Sequence, residues 1–339
     1  MKALIIGATG FLGKELLKEV AINYESVTIL ARTPNKVSIK GLDNVKIIKG
    51  DVTDYKSLET PFSEVDHVFH SAAKVGSWPK DPNKGYIQTN IDGTKNVLSA
   101  ARDQNIDRLI YTSSYFAIGE SGKDPVNELW DNKPNFKHPY VTTKYEAGKM
   151  VENFFNQEKL DVVSVNPTTI IGPGMDNPVS ASLIQFLNGR LPGLPGGGKA
   201  QFNFVSVRDV AKGHVLAAFK GKPGEKYLIG SENLSYRNFL MLFGEKIGKK
   251  PPRSIPEIIG KIYARMIEFG KNPSITVADF TVATRWFIYK SEKAIDELGY
   301  SPTPINMIID DIFKYMVENS LLNKKTSEKV QNYLKIASD

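Results

Sequence analysis

Tyr140 and Lys144, four positions apart in the segment HPYVTTK, put a phenol and an ammonium on one face of a helix. Pro139 suits the first turn of that helix. A phenol with a pKa near ~10 is a poor proton shuttle at neutral pH, and a neighbouring cation favours its ionised form. Such a pair suits proton transfer at a carbonyl or alcohol oxygen. The same spacing recurs in Tyr145 with Lys149 and in Tyr289 with Lys293, so spacing alone does not select the pair. Tyr145 points to another side of the same helix. Tyr289 falls in the C-terminal region, where it is expected to lie far from the cofactor-binding strands. Position therefore favours Tyr140.

The element that must serve this pair is the opening stretch MKALIIGATGFLG. Its apolar run predicts a buried strand over 3–6 that ends in Gly7, while Leu12, Leu16, Leu17 and Val20 follow at helical spacing. Glycine allows a tight turn and a close approach to a pyrophosphate, and the helix start behind it favours negative charge. The order predicts a dinucleotide site built on Gly7, Thr9, Gly10, Phe11, Leu12 and Gly13. The alternative is an ordinary strand-to-helix turn.

A second strand over 27–31 is followed by Arg32, at the position where an acidic residue would bind ribose hydroxyls and an arginine pairs with a 2′-phosphate. Arg32, with Lys36 as helper, points to NADP(H) unless it is a plain loop arginine. Strands over 45–49 and 67–70 end in Asp51 and Val52 and in Ser71, Ala72 and Ala73. Asp51 suits either an adenine amino group or a helix cap. The small residues at 71–73 let a cofactor pass close to the backbone. A helix over 83–104, a strand over 109–112 and a strand over 161–165, which ends in Asn166, Pro167, Thr168 and Thr169, continue the alternation. This order implies an α/β fold, a Rossmann-type doubly wound parallel sheet. The expected division is an NADP-binding domain over 1–174, to which some later segments return, a smaller substrate-binding lobe over 175–322, and a polar tail over 323–339.

The Gly7, Gly10, Gly13 spacing in GATGFLG resembles the extended short-chain dehydrogenase/reductase family, within the NAD-dependent epimerase/dehydratase superfamily. The segments at 202–218 and 298–304 extend the likeness, which looks like the dihydroflavonol-reductase-like branch. The resemblance implies that Ser114, chosen over Ser113 by Gly119 five residues on, faces Tyr140. It implies that Lys144 lowers the tyrosine pKa and holds the nicotinamide ribose, and that Asn90 anchors a water between Lys144 and solvent. It places Pro167, Thr168 and Thr169 at the nicotinamide carboxamide. On its own chemistry Asn90 is a helix-distorting or capping residue. The implied activity is NADPH-dependent reduction of an aldehyde or ketone by a homodimer. The rivals are a nucleotide-sugar epimerase or dehydratase that retains its nicotinamide, and a non-catalytic NADP-sensing protein. Tyr115 and Phe116 stand where sugar dehydratases carry an acidic pair, and Thr169 stands where sugar epimerases usually have asparagine.

Composition narrows the setting. With 339 residues, 41% of them hydrophobic, the chain can bury a large core. The absence of cysteine excludes disulfides and thiolate chemistry and fits a cytoplasmic location. The first apolar run stops at Gly7 and none reaches bilayer length, so neither a signal peptide nor a membrane partner is expected. The net charge of +7 is spread among acidic residues, which argues against nucleic-acid binding. Four histidines without ligand spacing give no expectation of a metal. The segment GLPGGGKA, over 193–200, imitates a phosphate-binding loop. Ala200 replaces the hydroxyl that such a loop needs, and the segment is expected to be a flexible loop beside the substrate lobe. Asp209 is expected to cap the helix that runs through Phe219.

Overall fold

The computed structural model describes residues 1–75, 83–135, 138–268 and 276–338, and the side chain of Lys36 lies outside that description. Ala3 to Ile6 offer apolar side chains to both faces of a sheet, and all four are buried in β1 (Lys2–Ile6). After the glycine turn comes α1 (Phe11–Asn23), which buries Leu16, Leu17 and Val20, then β2 (Ser26–Ala31) and β3 (Val45–Lys49). The chain next forms α2 (Lys56–Phe62), β4 (His67–His70), α3 (Gly93–Asp103), β5 (Arg108–Thr112), α4 (Pro139–Glu158) and β6 (Val162–Pro167).

The later elements are β7 (Thr169–Ile171), α5 (Pro178–Leu187), β8 (Leu194–Pro195), β9 (Gln201–Ser206) and α6 (Val207–Lys220). They continue with β10 (Lys226–Ile229), β11 (Glu232–Ser235), α7 (Tyr236–Lys246), β12 (Ser254–Ile255) and α8 (Glu257–Glu268). The last three are α9 (Val277–Ala283), α10 (Ile309–Glu318) and α11 (Lys324–Ser338).

Seven of these strands form one parallel sheet in the order β10-β6-β5-β4-β1-β2-β3. The chain starts at β1, runs outward to β3 and returns to β4 on the other side. The order therefore reverses between β1 and β4, and their carboxyl ends open a crevice. Helices α1 and α6 cover one face of the sheet, and α2, α3 and α4 cover the other. A separate aromatic core joins α5, α7, α10 and α11 to the small sheet β11-β9-β7, and Tyr115 and Phe116 belong to it.

Several expectations change. The helix expected over 83–104 opens as a π-helix, Asn83–Asp92, before it tightens into α3. The polar tail forms α11, which packs on the second core through the fully buried Val330, with Tyr333 and Leu334 beside it. The glycine-rich segment is a built turn. β8 pairs with β12, Gly196, Gly197 and Gly198 all adopt positive φ, and Arg237 Nε donates to the Gly197 carbonyl at 2.9 Å. Asp209 does not cap α6; Ser206 does, through the Arg208 N–H. The Asp209 carboxylate accepts from the Thr303 N–H at 2.6 Å and from its hydroxyl at 2.9 Å, which ties down a distant loop.

Candidate active site

The crevice between β1 and β4 is lined by Gly7, Thr9 and Gly10, by Arg32, Asp51 and Val52, and by Ser71, Ala72 and Ala73. Gly7 has φ +105, and a Cβ there would come within 2.6 Å of the Ala72 nitrogen. A Cβ on Gly13 would sit 2.0 Å from the Gly7 carbonyl oxygen. Both glycines let α1 start directly against the strand end. Gly10 caps that helix without any side-chain bond, and the first turn, which contains Phe11, Leu12 and Gly13, carries no acidic residue. Free N–H groups at an unshielded helix start, framed by small residues, fit a dinucleotide diphosphate.

Arg32 is exposed at the rim of this crevice. Asp51 caps no helix: its Oδ1 accepts from the Thr53 N–H at 3.0 Å and shapes its own turn, and the residue lines the crevice. Pro167 ends β6 and Thr169 begins β7. Between them the Thr168 N–H donates to the Ile229 carbonyl at 3.0 Å, so this turn stands two strands away from the glycine crevice on the same sheet edge.

Ser114 and Tyr140 meet. Ser114 follows β5, its Oγ accepts from the Phe116 N–H at 3.2 Å, and its hydroxyl stands near enough to Tyr140 to lower the phenol pKa. His138 caps α4 and accepts from the Val141 N–H, with Pro139 in the first turn, so Tyr140 stands at the positive end of the helix. The Tyr140 ring is flanked by Tyr86, centroids 6.3 Å apart, and by Phe116 at 5.9 Å in edge-to-face geometry. Burial pushes its phenol up to about 12, against the lowering effect of the Ser114 hydroxyl.

Lys144 is buried one turn further along α4 and does not act on Tyr140 as expected. Its Nζ donates to the Thr112 carbonyl at 2.7 Å and to Tyr111 Oη at 3.3 Å, and burial brings its pKa down to about 7. Desolvation outweighs any mutual stabilisation of the pair in this state. Behind it, Thr94 stands beside Tyr111, and Thr94 Oγ1 lies 3.1 Å from His70 Nε2. Asn90, in the π-helix, clamps the Lys74 backbone, accepting at 2.7 Å and donating at 3.2 Å, and donates to Thr143 Oγ1 at 3.1 Å. It joins the segment after β4 to the helix that carries Tyr140 and Lys144.

Three supports were not picked out from the sequence. Asn166, fully buried, donates to the Ser114 carbonyl at 2.9 Å. A lone amide inside the apolar strand VVSVNP is the signal that marks it. Tyr289 Oη donates to the Gly119 carbonyl at 2.6 Å, so this residue lies directly under the Ser114 segment and not far from it. Tyr111 shares Lys144, and nothing in its strand sequence sets it apart. The two other tyrosine-lysine pairs are excluded. Tyr145 and Lys149 both bond the exposed Asp131, while Lys293 pairs with Glu225 and not with Tyr289. Among the described residues no group of His, Cys, Asp or Glu is arranged to hold a metal.

Known proteins are similar to the chain over most of its length. A family model described as NAD dependent epimerase/dehydratase family matches residues 3–230. Anthocyanidin reductase of Arabidopsis thaliana is 31% identical, over 96% of this chain and 97% of its own. The 2-alkyl-3-oxoalkanoate reductase of Stenotrophomonas maltophilia is 32% identical, over 89% of this chain and 95% of its own. The crystal structure of Thermus thermophilus UDP-glucose 4-epimerase in complex with NAD superposes with a TM-score of 0.73 at 23% identity, covering 93% of this chain and 98% of that one, and shows the same fold. With its glycine turn, switch-point crevice and Ser114-Tyr140-Lys144 set, the chain belongs to the NAD dependent epimerase/dehydratase family, among the extended short-chain dehydrogenases/reductases.

Proposed function

We propose that the protein is an NADPH-dependent reductase of an aldehyde or ketone carbonyl, with Tyr140 as proton donor. The observation that carries this reading is the juxtaposition of Ser114 and Tyr140 at the carboxyl edge of the sheet that also holds the glycine crevice. The reductase names of the two relatives support it. Arg32, exposed at the rim after β2 at the position where an acidic residue would bind ribose hydroxyls, favours the phosphorylated cofactor.

A nicotinamide bound in the crevice supplies the hydride. The chain supplies the proton and the geometry. At neutral pH a phenol held near 12 is protonated, so Tyr140 enters the reaction as an acid and gives its Oη proton to the carbonyl oxygen as negative charge develops there. Ser114 turns its hydroxyl to the same oxygen and stabilises that charge. Lys144, which titrates near neutrality, gives up or takes up a proton within the buried network of Thr112 and Tyr111. Tyr86, Phe116 and Tyr115 keep water from the phenol and leave apolar walls for the substrate.

The test is NADPH oxidation, followed by absorbance, against aliphatic and aromatic aldehydes, ketones and dihydroflavonols, with NADH and Tyr140→Phe as controls. Turnover with NADPH that vanishes in Tyr140→Phe supports the reductase. If every carbonyl is inert while the purified protein retains nicotinamide and interconverts a nucleotide sugar, the epimerase reading replaces it.

A further inference from the structure

Strand β5 buries a phenol beside two apolar neighbours. Leu109 and Ile110 need no polar partner, whereas Tyr111, 2% exposed, brings a hydroxyl out of water with it. Such a group costs free energy unless it is bonded. Lys144 Nζ donates to Tyr111 Oη at 3.3 Å and stands 4.9 Å from the centre of the ring. Thr94, on α3, stands beside the same phenol, with its Oγ1 3.1 Å from His70 Nε2.

The two partners of Lys144 are not equivalent. The Thr112 carbonyl, 2.7 Å from Nζ, has lone pairs only and accepts from the lysine in either protonation state. A hydroxyl has both lone pairs and a hydrogen. It accepts from an ammonium and donates to the lone pair of an amine. Without such a partner, one protonation state of a buried lysine is left with an unsatisfied polar group. When Lys144 is charged, the Tyr111 hydrogen is free to turn to Thr94, whose hydroxyl also both accepts and donates. His70, held neutral by burial, ends the chain.

Few titratable groups face this lysine. His70 on β4 feels its charge, and Tyr111 lies on β5. Tyr140, on α4 itself, acts electrostatically on Tyr111, while Tyr86 and Tyr115 face Tyr140. No charged neighbour offsets the burial of Lys144.

We propose that Tyr111 is a positioning residue for the reaction: its hydroxyl reverses its hydrogen bond to Nζ and so keeps Lys144 in one place as the lysine gains and loses its proton. The inference rests on the reading of Tyr140 and Lys144 as members of the reacting set, and it gives Tyr111 no contact with substrate.

The experiment is a pH titration of the Lys144 ε-carbon resonance, by nuclear magnetic resonance on the full chain with isotope-labelled lysine, in which Lys144→Met identifies the signal. The parent resonance should titrate at about 7. Tyr111→Phe keeps the ring and loses the oxygen. It should move the titration down by about one pH unit, because an ammonium loses more with a hydrogen bond than an amine does. The pH profile of kcat should move with it while the KM for NADPH stays put. Tyr145→Phe, whose hydroxyl bonds the exposed Asp131, is the control and should leave the titration in place. Thr94→Val is a second variant, read where circular dichroism shows that Tyr111→Phe does not fold, and should shift the titration in the same direction by less. An unmoved titration in the folded variant overturns the proposal, since the Thr112 carbonyl then holds the lysine alone. So does a moved titration with the parental kcat profile. The titration is read without substrate: if it shifts while every carbonyl is inert, the reductase reading falls and the hold of Tyr111 on Lys144 stands.

Discussion

Lys144 Nζ donates to the main-chain carbonyl of Thr112 at 2.7 Å, so the ammonium of the catalytic helix is anchored on the central sheet rather than on the phenol. The anchor does not offset the loss of water, and the lysine falls to about 7.

This sets a pH dependence. In the unfolded chain the group keeps its proton up to about 10.5, so between about 7 and 10 the unfolded state binds more protons than the folded one. Stability from this group is therefore greatest above its unfolded pKa and is lost as pH falls through 7, by up to about 5 kcal/mol for a shift of that size. Chemical denaturation of the parent chain and of Lys144→Met over that range should show the rise with pH in the parent and a flatter profile in the variant. Equal slopes would mean that the lysine finds water in the folded protein.

Histidine predicts the acid limb. His214 Nδ1 donates to the Val210 carbonyl at 2.7 Å, which leaves Nε2 to accept from Thr112 Oγ1, also at 2.7 Å. This neutral, fully buried ring is held down at about 4 by burial, and His70 at about 3. Groups with depressed folded pKa values stabilise above the unfolded value of 6.5 and lose that contribution as pH falls through the folded one. Thermal unfolding between pH 6.5 and 4 should therefore show a falling midpoint, and His214→Asn should lose part of that slope.

The sequence made the sheet legible because each buried strand is a short apolar run closed by small residues, as in LIIG and VFHSAA. The helix of Tyr140 was legible because Pro139 marks its start locally, while the four-residue step to a lysine, which recurs at Tyr145 and Tyr289, left position to choose among the three. What stayed hidden are contacts across long separations. Tyr289 reaches Gly119 from 170 residues away, and Asp209 reaches Thr303 from 94, and no local spacing encodes either. The direction of Lys144 was hidden for another reason. Its helix face is fixed by sequence, but the choice between a phenol and a carbonyl on that face depends on the register of β5 against α4.

Arg32 should decide the cofactor. Arg32→Glu removes the phosphate partner and adds, in the crevice that Asp51 also lines, a second carboxylate that repels a 2′-phosphate. The KM for NADPH should rise about tenfold or more while NADH is tolerated better. Unchanged preference in steady-state assays with both cofactors would move the selection to another residue.

The glycine turn gives a steric prediction. Gly13→Ala places a Cβ 2.0 Å from the Gly7 carbonyl oxygen, too close for any side chain, so α1 must move away from the strand end. Cofactor affinity, read by quenching of intrinsic fluorescence, should fall sharply, with a stability loss of about 1–3 kcal/mol. Gly10→Ala is the control, because its nearest atom would be 3.4 Å away and the helix start need not shift.

Asn166 gives the last prediction, since it acts through Ser114 and not on substrate. Its Nδ2 is the buried donor to the Ser114 carbonyl, and its Oδ1 has no partner among the described residues. Asn166→Ala leaves that carbonyl buried without its donor at a cost of about 1–3 kcal/mol, and the freed segment no longer fixes the serine hydroxyl against Tyr140. On the folded fraction kcat should fall about tenfold while the KM for NADPH stays put, because the glycine crevice is untouched. A merely structural residue would lower the melting temperature and leave kcat per folded molecule intact. If Asn166→Ala melts earlier but turns over at the parental rate, Ser114 is held by Tyr289 and the Phe116 N–H alone, and the amide has no part in positioning it.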